Sequence, residues 1–336
     1  MPNAVEVEGV YKRFKAYENK DTGLFSSFRR KKKVVRALDG VSFSIKRGEI
    51  IALLGRNGSG KSTMIKTITG ILHPDLGSVR VLGMDPWKDR QKLAMDIGVV
   101  FGATHPQLYW NLPPIDTFEY VRDVYGISQK DYKERLEYFI RLLDISKVYK
   151  KQTRQLSLGE RMKCEMVAAL LHFPKFVVMD EPTIGVDLPA RMGIKRAVQE
   201  LRKSYGMTFL ITTHVVDDIS MADRIVMLEK GKKIFDGKTE KLRSTFSKHI
   251  ILEVKFADGE SGKGFRMKGR VISSRPGRVK LGISPSMLKD EWLRKLITSD
   301  KVADYRISEP GLSSILARFY SSRDRKGKEA DIDADE

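Results

Sequence analysis

GRNGSGKST, residues 55–63, lies between the apolar run EIIALL and the helically spaced MIKTITGIL. Its three glycines, its lysine and its closing pair of hydroxyls make poor core and poor helix filler. The spacing G-x-x-x-x-G-K-[ST] is complete through Gly55, Gly60, Lys61 and Ser62, with a predicted strand before it and a predicted helix after it. Gly55, Gly58 and Gly60 let the backbone turn tightly, so that successive N–H groups point inward and, with the N-terminus of the following helix, form a nest for phosphate oxygens. Lys61 supplies a point charge for the β and γ phosphates and Ser62 a hydroxyl for Mg²⁺. The run Gly55, Arg56, Asn57, Gly58, Ser59, Gly60, Lys61, Ser62, Thr63 therefore reads as a loop that holds a nucleoside triphosphate.

Downstream, KFVVMDEP reads as a buried strand ending in Asp180 and Glu181. Such a strand end delivers one carboxylate toward Mg²⁺, usually through water, and a second one residue further on, positioned to activate an attacking water. A lone Asp-Glu pair is common; paired with the phosphate loop it is specific.

The chain around these segments has 336 residues, enough for one large domain or a large one plus a small one. Its 41% hydrophobic and 31% charged content fits a soluble globular protein. No run approaches the roughly eighteen apolar residues of a membrane span, and MVAALLHFPKFVV is cut by Pro174 and Lys175. The N-terminus has no apolar stretch after a basic start, so no signal peptide is expected. The single cysteine, Cys164, excludes an internal disulfide framework and a cysteine-rich metal site; with five histidines, a metal is expected to be held through carboxylates and a bound ligand. A net charge of +19 suits nucleotide, nucleic acid or lipid headgroups, and equally a basic protein with no single anionic partner. Its densest patch, FRRKKKVVR, follows DTGLFSS and reads as a loop, either solvated or touching a membrane surface or a phosphate backbone.

Along the chain, AVEVEGV, VSFSI, EIIALL and SVRVL read as short strands. IDTFEYVRDVYGI, KERLEYFIRLLDI and LSLGERMKCEMVAALLHF read as helices, the last with Met162, Met166, Ala169 and Leu170 on one face. FVVMD and MTFLITTH return to strand, with the helix RMGIKRAVQELRKS between them and the hairpin RIVMLEKGKKIF after them, the signature of a parallel α/β sheet. Beyond about Leu242, the strands HIILEVKF, FRMKGRVISS and RVKLGI, the helix SMLKDEWLRKLI, the strand KVADYRI and the helix SSILARFY form a separate small α+β unit. The tail, residues 322–336, is expected to be disordered.

In order after the phosphate loop come LSLGE, KFVVMDEPTIGVD and TTH, and with it these segments resemble an ATP-binding-cassette (ABC) ATPase over about residues 5–243. The resemblance implies a P-loop NTPase with a parallel RecA-like core, an antiparallel β-subdomain and an α-helical subdomain at about residues 104–172. It places the cassette at residues 1–243 with a basic insertion at about 15–35, followed by the accessory α+β domain at 244–321. It also implies ATP and Mg²⁺ as ligands and a second cassette, in a homodimer that sandwiches two ATP molecules head to tail. Ser157 and Gly159, with Leu158 and Glu160, would then face the partner's ATP. The family's usual segment is LSGGQ; here Leu158 replaces a glycine and Glu160 a glutamine, whose charge is expected to weaken that contact. Ser157-x-x-Glu160 is also a capping box, and the two readings are compatible. By the same resemblance, His214 contacts the γ-phosphate and helps hold the attacking water, while Asp187 communicates between the two sites. Phe14, with Tyr17 as runner-up, matches the aromatic that stacks on adenine, a core role being the alternative. The Mg²⁺-sensing glutamine is missing after IGVVF, where Gly102 and Ala103 stand; either Gln107 reaches in or the role is changed.

Within the family, the insertion, IGVVFG, QLYWNLP, LSLGE and TIGVD together resemble cassettes of ABC-2 type exporters, whose permease is a separate chain. This implies a peripheral protein on the inner face of the cell membrane, with Tyr109 and Trp110 either meeting the permease or packing within the helical subdomain. A soluble ABC ATPase acting on nucleic acid or ribosomes would suit the charge. Against it, such members carry two cassettes or very long coiled coils, whereas one phosphate loop and one LSLGE stand about a hundred residues apart here. Nucleic acid is thus an unexpected partner. A polysaccharide exporter's cassette would need a longer, less helical C-terminal part.

Overall fold

The computed structural model describes residues 2–18, 31–102, 106–213, 216–246, 249–257 and 268–308. The chain divides into two compact units, Met1–Thr239 and Glu240–Glu336. In the first, the order is β1 (Asn3–Glu18), β2 (Lys31–Lys46), β3 (Ile50–Leu54), α1 (Lys61–Ile68), β4 (Leu76–Val81), α2 (Arg90–Asp96), β5 (Ile97–Phe101), α3 (Pro114–Val124), α4 (Gln129–Leu143), α5 (Leu158–Leu170), β6 (Phe176–Asp180), α6 (Leu188–Tyr205), β7 (Thr208–Thr212), α7 (Val216–Ile219), β8 (Arg224–Glu229) and β9 (Lys232–Gly237). Helix α8 (Thr239–Phe246) follows, then β10 (Ile250–Phe256), β11 (Arg270–Arg275), β12 (Arg278–Ile283), α9 (Glu291–Ile297) and β13 (Val302–Ser308).

The runs IIALL of β3 and TFLIT of β7 are buried throughout, as parallel strands covered on both faces must be. They lie inside a six-stranded sheet of order β5-β6-β7-β3-β8-β9, parallel except for β9. The tight β8–β9 turn puts Lys230 and Gly231 at φ 47° and 79°, the left-handed pair that a two-residue hairpin needs. A three-stranded antiparallel sheet, β2-β1-β4, lays Val5, Val7 and Val41 into one core with Leu53 of β3 and Met64 and Ile65 of α1. The second core gathers Phe118 of α3, Phe139 of α4, Met166 and Val167 of α5 and Ile194 of α6. Helix α5, expected to bury one face, is buried nearly all round, including Cys164 and Glu165, because α3, α4 and α6 pack about it.

Two expectations are corrected. The basic segment read as a loop is partly strand: β2 starts at Lys31 and pairs antiparallel with β1 through Lys15↔Val34, Phe14↔Val35 and Arg13↔Arg36. A strand tolerates basic residues whose long side chains can reach water, so charge does not bar the pairing, and residues 19–30 lie outside the described ones. The single helix expected over SMLKDEWLRKLI is broken: a 3₁₀ turn at Pro285–Lys289 ends at Asp290, which is extended (ψ 137°) and starts α9.

In the second unit, the antiparallel sheet β11-β12-β10-β13 alternates along β10, so that Leu252, Val254 and Phe256 meet Leu281 and Ile283 of β12 and Leu293 and Leu296 of α9. The expected SSILARFY helix and the tail lie outside the described residues.

Candidate nucleotide site

The phosphate loop leaves β3 at its C-terminal end and enters α1 at Lys61. Its glycines have steric causes. A Cβ on Gly60, at φ 106°, would strike the Ala37 carbonyl, and one on Gly55 would come 2.5 Å from the Leu228 carbonyl. Lys61 is only 6% exposed. Its Nζ donates to the carbonyls of Gly55 at 2.6 Å and Arg56 at 3.2 Å. Burial pulls the Lys61 pKa below that of an ordinary lysine, while the carboxylates of Glu181 and Asp180 push it back up.

One hydroxyl organises the acidic end of β6. Thr212, on the neighbouring strand β7, donates its hydroxyl to Asp180 and accepts at the same oxygen from the Glu181 N–H at 3.0 Å. That N–H also meets the Thr212 carbonyl at 3.1 Å. Between them these contacts hold Glu181 at φ 53°, a left-handed conformation that costs a residue other than glycine roughly 1–2 kcal/mol.

Loop and strand end face one cavity of about 540 Å³, lined by Asn57, Gly58, Ser59, Gly60, Lys61, Ser62, Thr63, Asp180 and Glu181, and by Phe14, Val35, Ala37, Gly102 and Ile184. Phe14, read as an adenine platform, is 41% exposed and belongs to this wall rather than to a core. Sequence reasoning missed its cross-strand partner Val35, together with Ala37, Gly102 and Ile184. The alternation of YKRF against KVVRA is the signal that pairs Phe14 with Val35.

Other candidates lie elsewhere in the unit. Gln107 does not join the cavity: its Nε2 donates to the Val99 carbonyl at 2.5 Å and it lines a second groove, about 370 Å³, with Tyr109, Thr117, Tyr120, Val124, Tyr125 and His172. The buried Glu165 of α5 accepts from the N–H groups of Gln107 at 2.9 Å and Leu108 at 3.3 Å. Gln107, considered for a metal role, is thus not among the residues that line the nucleotide cavity. Burial raises the Glu165 pKa against the pull of those two amides. In the same groove His172 stacks on Tyr125 at 3.9 Å and bonds the Ile97 carbonyl at 3.0 Å, and burial lowers its pKa to about 4.

Ser157 and Glu160 form the capping box of α5, the Glu160 carboxylate accepting from the Ser157 N–H at 2.8 Å. Leu158 follows as the first residue of the helix. Gly159 has no room for a side chain, a Cβ there lying 2.6 Å from that of Ala190. Asp187 caps α6, accepting from the Ala190 N–H at 3.0 Å. His214 lies outside the described residues.

The site's chemistry fits a nucleotide polyphosphate: a backbone nest, a buried ammonium and an apolar wall suited to a base. Ser62 and Asp180 on its lining offer two oxygen ligands, a set that suits Mg²⁺ completed by water and phosphate. Among the described residues, no cluster of three or more His, Cys, Asp or Glu would hold a metal by itself.

Comparison with known proteins points the same way. The ABC transporter family profile matches residues 38–184. The chain is 31% identical over 216 residues to the ABC transporter ATP-binding protein NatA of Bacillus subtilis (strain 168), covering 64% of this chain and 87% of that one. It is 30% identical over 218 residues to the energy-coupling factor transporter ATP-binding protein EcfA1 of Clostridium perfringens, covering 63% and 76%. The solved structure of cbiO1 from Clostridium perfringens, part of the ABC transporter complex cbiONQ, superposes with a TM-score of 0.60 at 26% identity, over 73% of this chain and 92% of that one. Since the shared region includes the phosphate loop, the capped α5 and the carboxylates of β6, the likeness extends from fold to chemistry, and the chain belongs to the ABC transporter family as an ATP-binding, ATP-hydrolysing subunit.

Proposed function

We propose that this chain powers an ABC-2 type exporter, as the cytoplasmic, peripheral ATPase partner of a separate transmembrane permease. In this reading the nest of residues 55–63 and Lys61 hold the phosphates of ATP, and Phe14 with Val35 carries the adenine. Ser62 and Asp180 would hold Mg²⁺, which when bound neutralises charge on the phosphate oxygens. Glu181 takes a proton from the attacking water as its oxygen bonds the γ-phosphorus and the bond to the β–γ bridging oxygen breaks. Ser157, Leu158, Gly159 and Glu160 serve the ATP of a second copy, Asp187 lies between the two sites, and His214 aids the attack. The Glu160 side chain is turned back onto its own helix cap, which lessens the repulsion its charge would exert on that ATP.

The observation that carries the transporter reading is the second groove. Tyr109, Tyr120 and Val124 on its rim are 54%, 58% and 56% exposed, and Trp110 beside them is 55% exposed. An apolar, aromatic-rimmed groove is suited to a helical segment of another chain. No described helix is long and apolar enough to cross a membrane, so the pore would be supplied by that other chain.

The test is to purify tagged Glu181→Gln protein from gently solubilised native membranes, with nuclease and moderate salt present. A stoichiometric multi-span protein in the eluate supports the reading; recovery only from the soluble fraction with RNA or ribosomes overturns it. The same variant should bind ATP and hydrolyse it about 10²–10⁴-fold more slowly than the parent, measured by phosphate release.

A further inference from the structure

We infer that Asp218 is a positioning residue for ATP hydrolysis, a buried carboxylate that sets the turn after Glu181 against Thr213 at the end of β7, an inference that rests on the catalytic roles proposed above for Glu181 and His214. Asp218 lies in α7, is 1% exposed and takes no part in lining the nucleotide cavity. Its Oδ2 accepts from the hydroxyls of both Thr183 and Thr213, the latter at 2.9 Å. Thr183 stands two residues after Glu181, and Thr213 immediately precedes His214. Both threonines are buried as deeply as the carboxylate.

Among the described residues the other oxygen, Oδ1, has no hydrogen-bond partner, and the Lys195 ammonium stands 4.0 Å from it. Lys195 belongs to α6, the helix that Asp187 caps. One carboxylate thus ties the turn after β6, the end of β7 and α6. A carboxyl group this deep is expensive as a packing element, and an apolar residue of similar size would fill the space at lower cost. What the carboxylate supplies is a shared acceptor. Because both hydroxyls end on the same oxygen, the separation of the two loops is set by two bonds rather than by van der Waals contact alone.

Asp218 touches neither the phosphate loop nor the adenine wall, so its loss should spare ATP binding and misplace the groups that act on the water. The measurement is steady-state Mg-ATP hydrolysis by the full chain, with melting temperature and fluorescent-ATP affinity alongside. Asp218→Ala is expected to lower kcat on the order of 10²-fold, the cost of an ångström-scale misplacement, with KM for ATP within about two-fold. Asp218→Asn keeps an acceptor oxygen and should recover at least about ten-fold of that loss, because the tie rather than the charge does the positioning. Thr183→Val should lower kcat in the parent and add little to Asp218→Ala, since both remove the same link.

Unchanged kcat in a folded Asp218→Ala variant overturns the proposal. So does a rise in KM as large as the fall in kcat, or an Asn variant no better than Ala. Should the alanine variant fail to fold, Thr183→Val and Thr213→Val decide, and unchanged kcat in both has the same meaning.

Discussion

Phe14 acquires its place from across a ribbon. Paired with Val35, it offers a base one aromatic face and one β-branched edge on the rim of the phosphate cavity. Stacking of a base on an aromatic is worth about 1–3 kcal/mol, so Phe14→Ala should raise KM for ATP about ten-fold with little change in kcat, read from steady-state hydrolysis. The phosphate loop was legible from sequence because its chemistry is backbone chemistry: glycines at fixed spacing dictate where N–H groups point. Val35 was not, because its nearness to Phe14 depends on pairing across an intervening segment. Gln107 shows the same limit from the other side. Its residue type suited a metal, while its side chain meets the Val99 carbonyl and its backbone N–H is held by Glu165, 58 positions later.

That carboxylate acts between elements, joining the loop after β5 to the middle of α5. Replacing it strands two amide donors in an apolar setting, so Glu165→Leu should cost about 2–4 kcal/mol, seen as a lower urea midpoint; Glu165→Gln, which keeps an acceptor, should lose less than half as much. His172, just beyond α5, reports on burial through protons. Its native pKa of about 4 lies below the ordinary 6.5, so between those values the unfolded chain binds a proton that the folded chain refuses. Stability attributable to this group therefore rises with pH across that window, by up to about 3 kcal/mol. Urea midpoints taken from pH 4.5 to 7 should climb more steeply for the parent than for His172→Gln. Helical periodicity exposed α3, α4, α5 and α6 at the level of sequence. It overran Asp290, where an acidic residue that continues a polar face also serves as a helix start, and it ceded the Lys31 end of β2 to a loop because charge there outweighed the pairing signal.

At the scale of the whole molecule, three hydrophobic cores among the described residues are distinct in membership. Two contain only residues of the first unit, and the third, around Leu252, Leu281 and Leu296, only residues of the second. A fragment ending at Thr239 is accordingly expected to unfold in one cooperative transition and to bind ATP within about three-fold of the full chain; aggregation of that fragment, or loss of nucleotide fluorescence, would show the second unit to be required. The cavity itself draws on β1, β2, the phosphate loop, the end of β5 and the end of β6, so a ligand there touches both the three-stranded and the six-stranded sheet. Any ligand that binds only the folded form adds RT ln(1 + [L]/Kd) to its stability, about 2.7 kcal/mol when free ligand is a hundred times its Kd. The lifetime of the folded chain is thus tied to the energy state of the cell, and depletion of ATP would expose the same molecule that it idles to unfolding and proteolysis.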